Sequence, residues 1–600
     1  MNRNTEQHFA MLPSVNIGRS KFHRPFTHKD TWNTGEIIVP FVDPDIVPGD
    51  TVTMRQAELI RMTTPLFPVM DNCYMDFYWF FVPNRLVMDD WTKLMGENDT
   101  APWTQNVEVV IPQIRITNQY KNTIEGTDFT TGTIVKGSLL DHMGIPTQTW
   151  EPQGDGVSQY NLKVSQLPTR AYCLIWNEFF RDENLQNPVI VPKDNTDVIC
   201  RNKYHGDYLS DEDAQTVARE FGGGYPCLKA CKPHDYFTSA LPGMQKLPTP
   251  VTIPLSEDLI PIRYKSDAEN PPAWNGKIAG FEAGRVQNVN SSGTGINSYS
   301  DYKAVRADRA YNDDGTYNWG PGKDEQIAGA WVRQDFKLVA DLTTATGATV
   351  TALRQAFAIQ KFYERDARGG TRYIESIKSH FGVTNPDFRF QRPEYLGGFR
   401  QNINMNQVVQ NAPVIEEGGT GLGTTGAYSV TSHQNADVFT HSFTEHGILM
   451  CLAVVRTDHT YQQGINRAWF KKKRLDFYSP EFANLSEQAI LNKEIYAQGT
   501  DDDEEAFGYQ EAWAEMRYMP NIISGAFRSD YEQSLDYYCY ADNYQELPSL
   551  GDKWIQETDV NMARTLAIQN EDQFAGDFYF DPIYTRPMPL YSIPGLIDHH

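Results

Sequence analysis

The chain has 600 residues, with 12% aromatic side chains, 43 glycines and 35 prolines; this is too long for one ordinary compact core, and the composition excludes a collagenous or wholly disordered chain. The formal net charge of −24 argues against a protein that holds nucleic acid through its bulk field. The charge is uneven. Residues 501–600 carry 20 Asp and Glu against 5 Lys and Arg, whereas residues 1–29 carry five cations against Glu6 alone, and residues 351–400 carry nine cations against five carboxylates.

In chain order, residues 1–34 are polar and basic with few apolar repeats, and read as an extended arm carrying Arg19, Lys21 and Arg24. Gly35–Phe41 (GEIIVPF) reads as a strand that stops before the turn cluster DPDIVPGD. Cys73–Val82 (CYMDFYWFFV) alternates at period two, with Asp76 on the face opposite Met75, Phe77 and Trp79. Asn106–Ile116 (NVEVVIPQIRI) is β-branched but broken by Pro112, which suggests an edge strand or a bulge. Residues 250–346 are rich in Asn, Ser, Gly, Asp and Tyr with weak periodicity, and read as an exposed insertion between a first part, 35–249, and a second part, 347–600, that ends in an acidic extension. Ala352–Asp366 and Arg372–Phe381 have helical spacing. Gly369 and Gly370 form the turn between them, Thr371 is positioned to cap the second helix, and Gly382 to end it. Gly447–Arg456 is a wholly apolar strand. Strands separated by tens of loop residues are not βαβ alternation; they fit a mainly β chain, a sandwich or jelly roll with very long connections.

Chemical motifs are sparse. Gly421–Gly426 (GLGTTG) matches a dinucleotide-binding pattern, yet no strand precedes it and no helix signal follows, so a hairpin loop is the reading. Cys200, His205, Cys227, Cys231 and His234 are the one metal-like group, but Cys227-x3-Cys231 lacks a second close pair, and buried thiols are the expectation. All seven cysteines read as reduced, since MNRNTEQHFA is polar and no secretory signal is expected. The longest apolar run, GILMCLAVV, is about half of a membrane span. Asp501–Glu505 reads as a solvated acidic loop rather than a calcium site. No nucleophile, base and orienting partner recur at a catalytic spacing, so neither an enzyme nor a cofactor is expected. The helix–GlyGly–helix at 352–381 leaves a DNA-binding regulator as the alternative function.

Long words along the chain carry a resemblance: FHRPFTHKDTWNTGEIIVPF (Phe22–Phe41), WNEFFRDENLQNP (Trp176–Pro188), ERDARGGTRYIESIKSHFGVTNPD (Glu364–Asp387), FANLSEQAILNKEIYAQG (Phe482–Gly499) and RPMPLYSIPGLIDHH (Arg586–His600). In these the chain resembles the major capsid proteins of gokushoviruses, single-stranded DNA bacteriophages of the Microviridae. The resemblance is weakest at 250–346. It implies an eight-stranded antiparallel jelly roll, of which sixty copies close a T=1 icosahedral shell around circular single-stranded DNA through fivefold, threefold and twofold contacts. It also implies a small basic DNA-binding virion protein, an internal scaffolding protein, a minor pilot protein and a host cell-surface receptor as partners, with assembly in the bacterial cytoplasm. The 250–346 insertion is then the candidate threefold protrusion. Arg19, Lys21 and Arg24 are candidates for facing the interior or its DNA. Arg365, Arg368 and Arg372, around the Gly369–Gly370 turn, are candidates for facing either a neighbouring subunit or DNA.

Overall fold

A computed structural model describes residues 18–98, 109–117, 120–124, 127–131, 134, 136–147, 161–199, 201–203, 227–246, 262–264, 287–289, 296–298, 310–311, 317–318, 338–340, 350–403, 405–409, 425–483, 485–569 and 571–591. The chain divides into two compact units, one of Met1–Pro248 with Phe362–His600 and one of Thr249–Lys361. In the second unit the described strands are short antiparallel pairs: Ile262–Tyr264 with Leu338–Ala340, Gln287–Val289 with Ile296–Ser298, and Ala310–Tyr311 with Tyr317–Asn318.

The first unit is built on two antiparallel sheets. Their strands are β1 (Ser20–His23), β2 (Phe26–Trp32), β3 (Ile38–Ile46), β4 (Thr51–Met62), β5 (Cys73–Pro83), β6 (Glu394–Asn402), β7 (Met405–Val409), β8 (Thr425–Ser442), β9 (Gly447–Thr457), β10 (Phe574–Phe580) and β11 (Ile583–Arg586). In the first sheet β1 pairs with β11 and β2 with β10, while β10 and β11 both pair with β4. On its other side β4 pairs with β8, and β8 with β7. Residues 20–32 and 574–586 are thus two interrupted lines, and the first sheet reads across as 20–32, 574–586, 51–62, 425–442, then β7. The second sheet has the order β6–β5–β9–β3.

The two sheets face each other through aromatic rings. Phe580 lies 5.3 Å from Phe26, 5.2 Å from Phe41 and 5.7 Å from Trp79 between ring centroids, and Phe578 meets Phe77 edge-on at 6.0 Å. Such tilted and edge arrangements suit the ring quadrupoles and add to the area buried. Trp79 is fully buried, and its indole N–H donates to Gln56 Oε1 at 3.1 Å, so the one polar atom of the ring is satisfied.

Period two was the signal for β5, but nearly every residue of that strand is buried. The outer face of its sheet is covered as well, by α1 (Leu167–Ile175) and the turn that follows it. Tyr172 on α1 is fully buried; its hydroxyl donates to Ile37 O and accepts from Leu228 N, both at 2.9 Å. Phe179 and Phe180 pack on Phe80 and Tyr78. A strand covered on both faces becomes a continuous apolar run, as in β9, and the alternation loses its meaning. Asp76 does lie opposite Phe77, but beneath that cover rather than in water. Burial opposes its charge; hydrogen bonds from Arg400 Nε at 2.7 Å and from Arg456 outweigh this and hold its carboxyl below the usual range.

Three sequence expectations need correction. Residues 20–32 belong to the first sheet, so the expected arm is sheet from Ser20 onward: Trp32 is buried against Phe574 and Phe578, and residues 1–17 lie outside the described residues. The strand at Ile38 runs through Asp43-Pro44-Asp45 to Ile46. Pro40 and Pro44 are tolerated because β3 pairs only with β9 and is an edge strand. Gln113–Thr117 is the middle strand of a small sheet, between Asn161–Ser165 and Val198–Ile199, because Pro112 precedes the pairing residues instead of interrupting them. Phe580→Ala is expected to destabilise the fold by about 3–5 kcal/mol, read as a lower denaturation midpoint at unchanged slope. An unchanged midpoint would mean that the sheets do not share this core.

Candidate assembly and nucleic-acid surfaces

The corner that drew attention in the sequence joins α2 (Val350–Gly369) to α3 (Tyr373–Phe381). Gly370 has φ +84°, where a side chain is strained, and two carboxylates, of Glu375 and Glu183, crowd the space a Cβ would take. A Cβ on Gly369 would stand 2.6 Å from Ser379 Cβ, so the pair of glycines lets the helices close on each other. Thr371 was the expected cap of α3; the N-cap is Arg372, with no side-chain cap bond. Glu183, far away in sequence, supplies the acceptor. Its carboxylate takes Thr371 N at 2.5 Å and Arg372 N at 3.2 Å, and receives Lys246 Nζ at 2.8 Å. Burial opposes its ionisation, but the Lys246 ammonium and the Thr371 amide prevail and hold the carboxyl below its ordinary range. An anion at a helix N-terminus also meets the positive end of the dipole. Gly382, at φ +69°, ends α3.

The three arginines of the corner address different partners. Arg372 is largely buried. It donates to Asn177 O at 2.8 Å and Arg181 O at 3.0 Å, and pairs with Glu375 at 2.9 Å. Arg368 pairs with Glu487 at 2.5 Å and Glu511 at 3.3 Å. Arg365 is exposed and forms no ion pair among the described residues. Of the four polar residues that a DNA-reading α3 would offer, Arg372 and Glu375 are spent on each other and on the turn after α1, Ser379 Oγ donates to Ser376 O, and Lys378 is left exposed. Of the N-terminal cations, Arg19 and Lys21 are exposed, and Lys21 pairs in register with Thr585 on the edge strand of the first sheet. Arg24 donates to Asp43 Oδ2 at 3.3 Å and lies 5.1 Å from the Tyr584 ring centre.

Among the described residues no cluster of three His, Cys, Asp or Glu is placed to hold a metal. Cys231 donates to Phe180 O at 3.2 Å and Gln186 Oε1 at 3.1 Å, while Cys200 and His205 lie outside the described residues. The acidic run 501–505 builds its own loop: Asp503 accepts from Gln498 N at 2.9 Å and Gly499 N at 2.7 Å, and Glu504 pairs with Lys493. Most of GLGTTG also lies outside the described residues, but β8 begins at Thr425 within it, and a strand rather than a helix follows. No described helix is long and apolar enough to cross a membrane.

Two features escaped the sequence reading. One is a buried ionic triad in the connection 458–573: His459 Nδ1 lies 3.0 Å from Asp542 and Nε2 3.2 Å from Glu557, and all three side chains are almost wholly buried. Burial alone would lower the His459 pKa, but the two carboxylates outweigh it and push it up to about 10. Asp542 is likewise driven down to about 2 despite its burial, by His459 first. The other is a set of exposed large apolar residues on the same connection. Trp469 is 83% exposed, Met519 85% and Ile522 75%. Large apolar side chains left in water at this density along one connection are what a chain that associates through it would carry. No period-two or 3.6 pattern runs through Ile465–Tyr531, and the density of large apolar residues without a period was the only available signal.

A shell subunit is the class of protein that combines a double-sheet core, enormous connections and large apolar residues left in water. Residues 10–596 match the family described as "Capsid protein (F protein)", and the chain belongs to that family. It is 38% identical over 597 residues to capsid protein VP1 of Bdellovibrio phage phiMH2K, covering 99% of this chain and 98% of that one. It is 36% identical over 592 residues to VP1 of Spiroplasma virus 4 and 33% identical over 617 residues to VP1 of Chlamydia phage 1, with 98% of this chain and 97% of the relative covered in each case. The resemblance to gokushovirus major capsid proteins therefore holds along nearly the whole chain, and the chain is a structural capsid protein of a bacteriophage.

Gly370→Ala is expected to cost about 1–3 kcal/mol by forcing a Cβ into the left-handed region between two carboxylates; an unchanged midpoint would overturn this account of the corner. The triad sets a pH dependence. A histidine raised from 6.5 to about 10 holds its proton more tightly folded than unfolded. Its contribution is therefore complete below pH 6.5 and is lost as pH rises toward 10. The unfolding free energy should fall between those limits, by at most about 1.4 kcal/mol per pH unit, and His459→Gln should remove that slope.

Proposed function

We propose that the eight strand lines 20–32, 38–46, 51–62, 73–83, 394–402, 425–442, 447–457 and 574–586 are an eight-stranded antiparallel jelly roll, and that sixty copies of it close a T=1 icosahedral shell around circular single-stranded DNA. The observation that carries this is the strand order. The lines alternate between the two sheets except at the step from 73–83 to 394–402, and the orders 20–32, 574–586, 51–62, 425–442 and 38–46, 447–457, 73–83, 394–402 are those of a double Greek key. The water-facing apolar residues of 516–531, Met516, Tyr518, Met519, Ile522 and Tyr531, support burial against neighbouring copies.

A net charge of −24 per subunit cannot neutralise packaged phosphates. A small, strongly basic virion protein accompanies the DNA, and an internal scaffolding protein and a minor pilot protein assist closure and delivery. The subunit is made and assembled in the bacterial cytoplasm and ends in the virion. The 250–346 insertion forms the threefold protrusion and meets the host cell-surface receptor. Its role is structural and needs no cofactor.

Light scattering on the purified protein, with electron microscopy of the largest species, should show uniform round particles near sixty subunits. A monomer that stays open even with its scaffolding partner would sink the shell reading. Removing most of 250–346 should leave assembly intact and abolish adsorption to host cells; unchanged adsorption would refute the attachment role.

A further inference from the structure

In this acidic chain the stretch Arg467–Glu481 is locally reversed, with five cations, Arg467, Lys471, Lys472, Lys473 and Arg474, against Asp476 and Glu481. It forms a built loop. Asn466 Oδ1 accepts from Ala468 N at 2.9 Å and starts one turn, Arg467–Phe470. A second turn, Arg474–Asp476, follows, and Asp476 folds back to accept Lys472 N at 2.8 Å and Lys473 N at 2.7 Å. The loop is anchored beneath: Lys471 pairs with Glu515 at 3.1 Å, Lys493 lies 4.3 Å from the Phe470 ring, and Tyr478 meets Trp513 edge-on at 5.6 Å. What remains outward is Lys472, Lys473 and Arg474, exposed and without an ion pair among the described residues, with Trp469 and Phe477 beside them at 83% and 58% exposure.

We propose that the loop Trp469–Tyr478 is a binding site for single-stranded DNA, in which Lys472, Lys473 and Arg474 take consecutive phosphates and the Trp469 and Phe477 rings stack on unpaired bases. Cations interleaved with exposed rings match the two repeating features of a single strand, charge and base face, whereas a duplex hides its base faces. The alternative occupant, an apolar patch of a second copy, fits less well, because lysine is depleted from the centres of protein interfaces. The dispersed charge of −24 does not cancel the site, since exposed charges are screened beyond about 8 Å at physiological salt. Asp476 Oδ2 accepts from both loop amides and Glu481 accepts from the Ser479 hydroxyl, so each acid has a local hydrogen-bond partner, and the three outward cations, which form no ion pair among the described residues, outnumber them.

The inference rests on a genome of single-stranded DNA, and its test is separable from shell closure. The full-length protein is titrated with a labelled oligothymidylate of about 20 nucleotides at several salt concentrations, by fluorescence anisotropy. Combining Lys472→Ala, Lys473→Ala and Arg474→Ala should weaken binding at least tenfold and reduce the salt slope by about 2. Trp469→Ala should weaken it about tenfold with the slope unchanged. Denaturation midpoints should match the parent in every case, because the replaced side chains are in water. Variants that bind as the parent does would overturn the proposal, and if they also fail to form particles the loop is a subunit contact. Salt-dependent binding through this loop in a protein that never forms particles would uphold the site while removing the shell reading.

Discussion

The first sheet cannot close until the end of the chain arrives. Residues 574–586 slot between 20–32 and 51–62, so without them β4 keeps an open row of backbone donors and acceptors and β1 and β2 have no partner. The same line brings Phe578 and Phe580 to rings on β2, β3 and β5. The core is therefore assembled from segments hundreds of residues apart, and its closure is slow by topology. Such a frame has one large freedom. Loop-closure cost grows only with the logarithm of length, so a connection as long as 84–393 or 458–573 adds little beyond what a shorter one would. Those connections are free to carry the surfaces by which subunits meet each other and their cargo.

How much of this was readable depended on whether a local signal had a local cause. The apolar run of β9 was legible because a central strand covered on both faces can only be apolar. The helix–GlyGly–helix was legible because Gly370 needs a left-handed backbone whatever surrounds it. The first residues of the sheet were not. SKFH and FTHKDTW alternate weakly, and their pairing partners lie at 574–586. Thr371 failed as a cap for a related reason, because its hydroxyl and its amide both turn to Glu183, and nothing in the local sequence announces that partner. The fate of Arg368 and Arg372 was equally hidden. A cluster of arginines looks like a surface until the carboxylates and carbonyls it meets are known.

That fate bears on how charge is used across the chain. Two groups of buried charges are paired: Asp76 with Arg400 and Arg456, and His459 with Asp542 and Glu557. Removing one member of such a group would strand the other in a low dielectric, so these groups fix how the long connections pack and cannot be spared for a ligand. Cations available to a partner must therefore be the ones left unpaired at the surface. Among those the sequence put forward, Arg365, Arg19 and Lys21 qualify, while Arg368, Arg372 and Arg24 are drawn into the subunit. Lys472, Lys473 and Arg474 qualify as well: all three are exposed and form no ion pair among the described residues, and the carboxylate beside them, Asp476, takes the amides of Lys472 and Lys473 on Oδ2 and so shapes the loop that presents them. A negative chain can in this way present a positive face, and what it needs for that is a local fold that gathers cations where they outnumber the acids beside them.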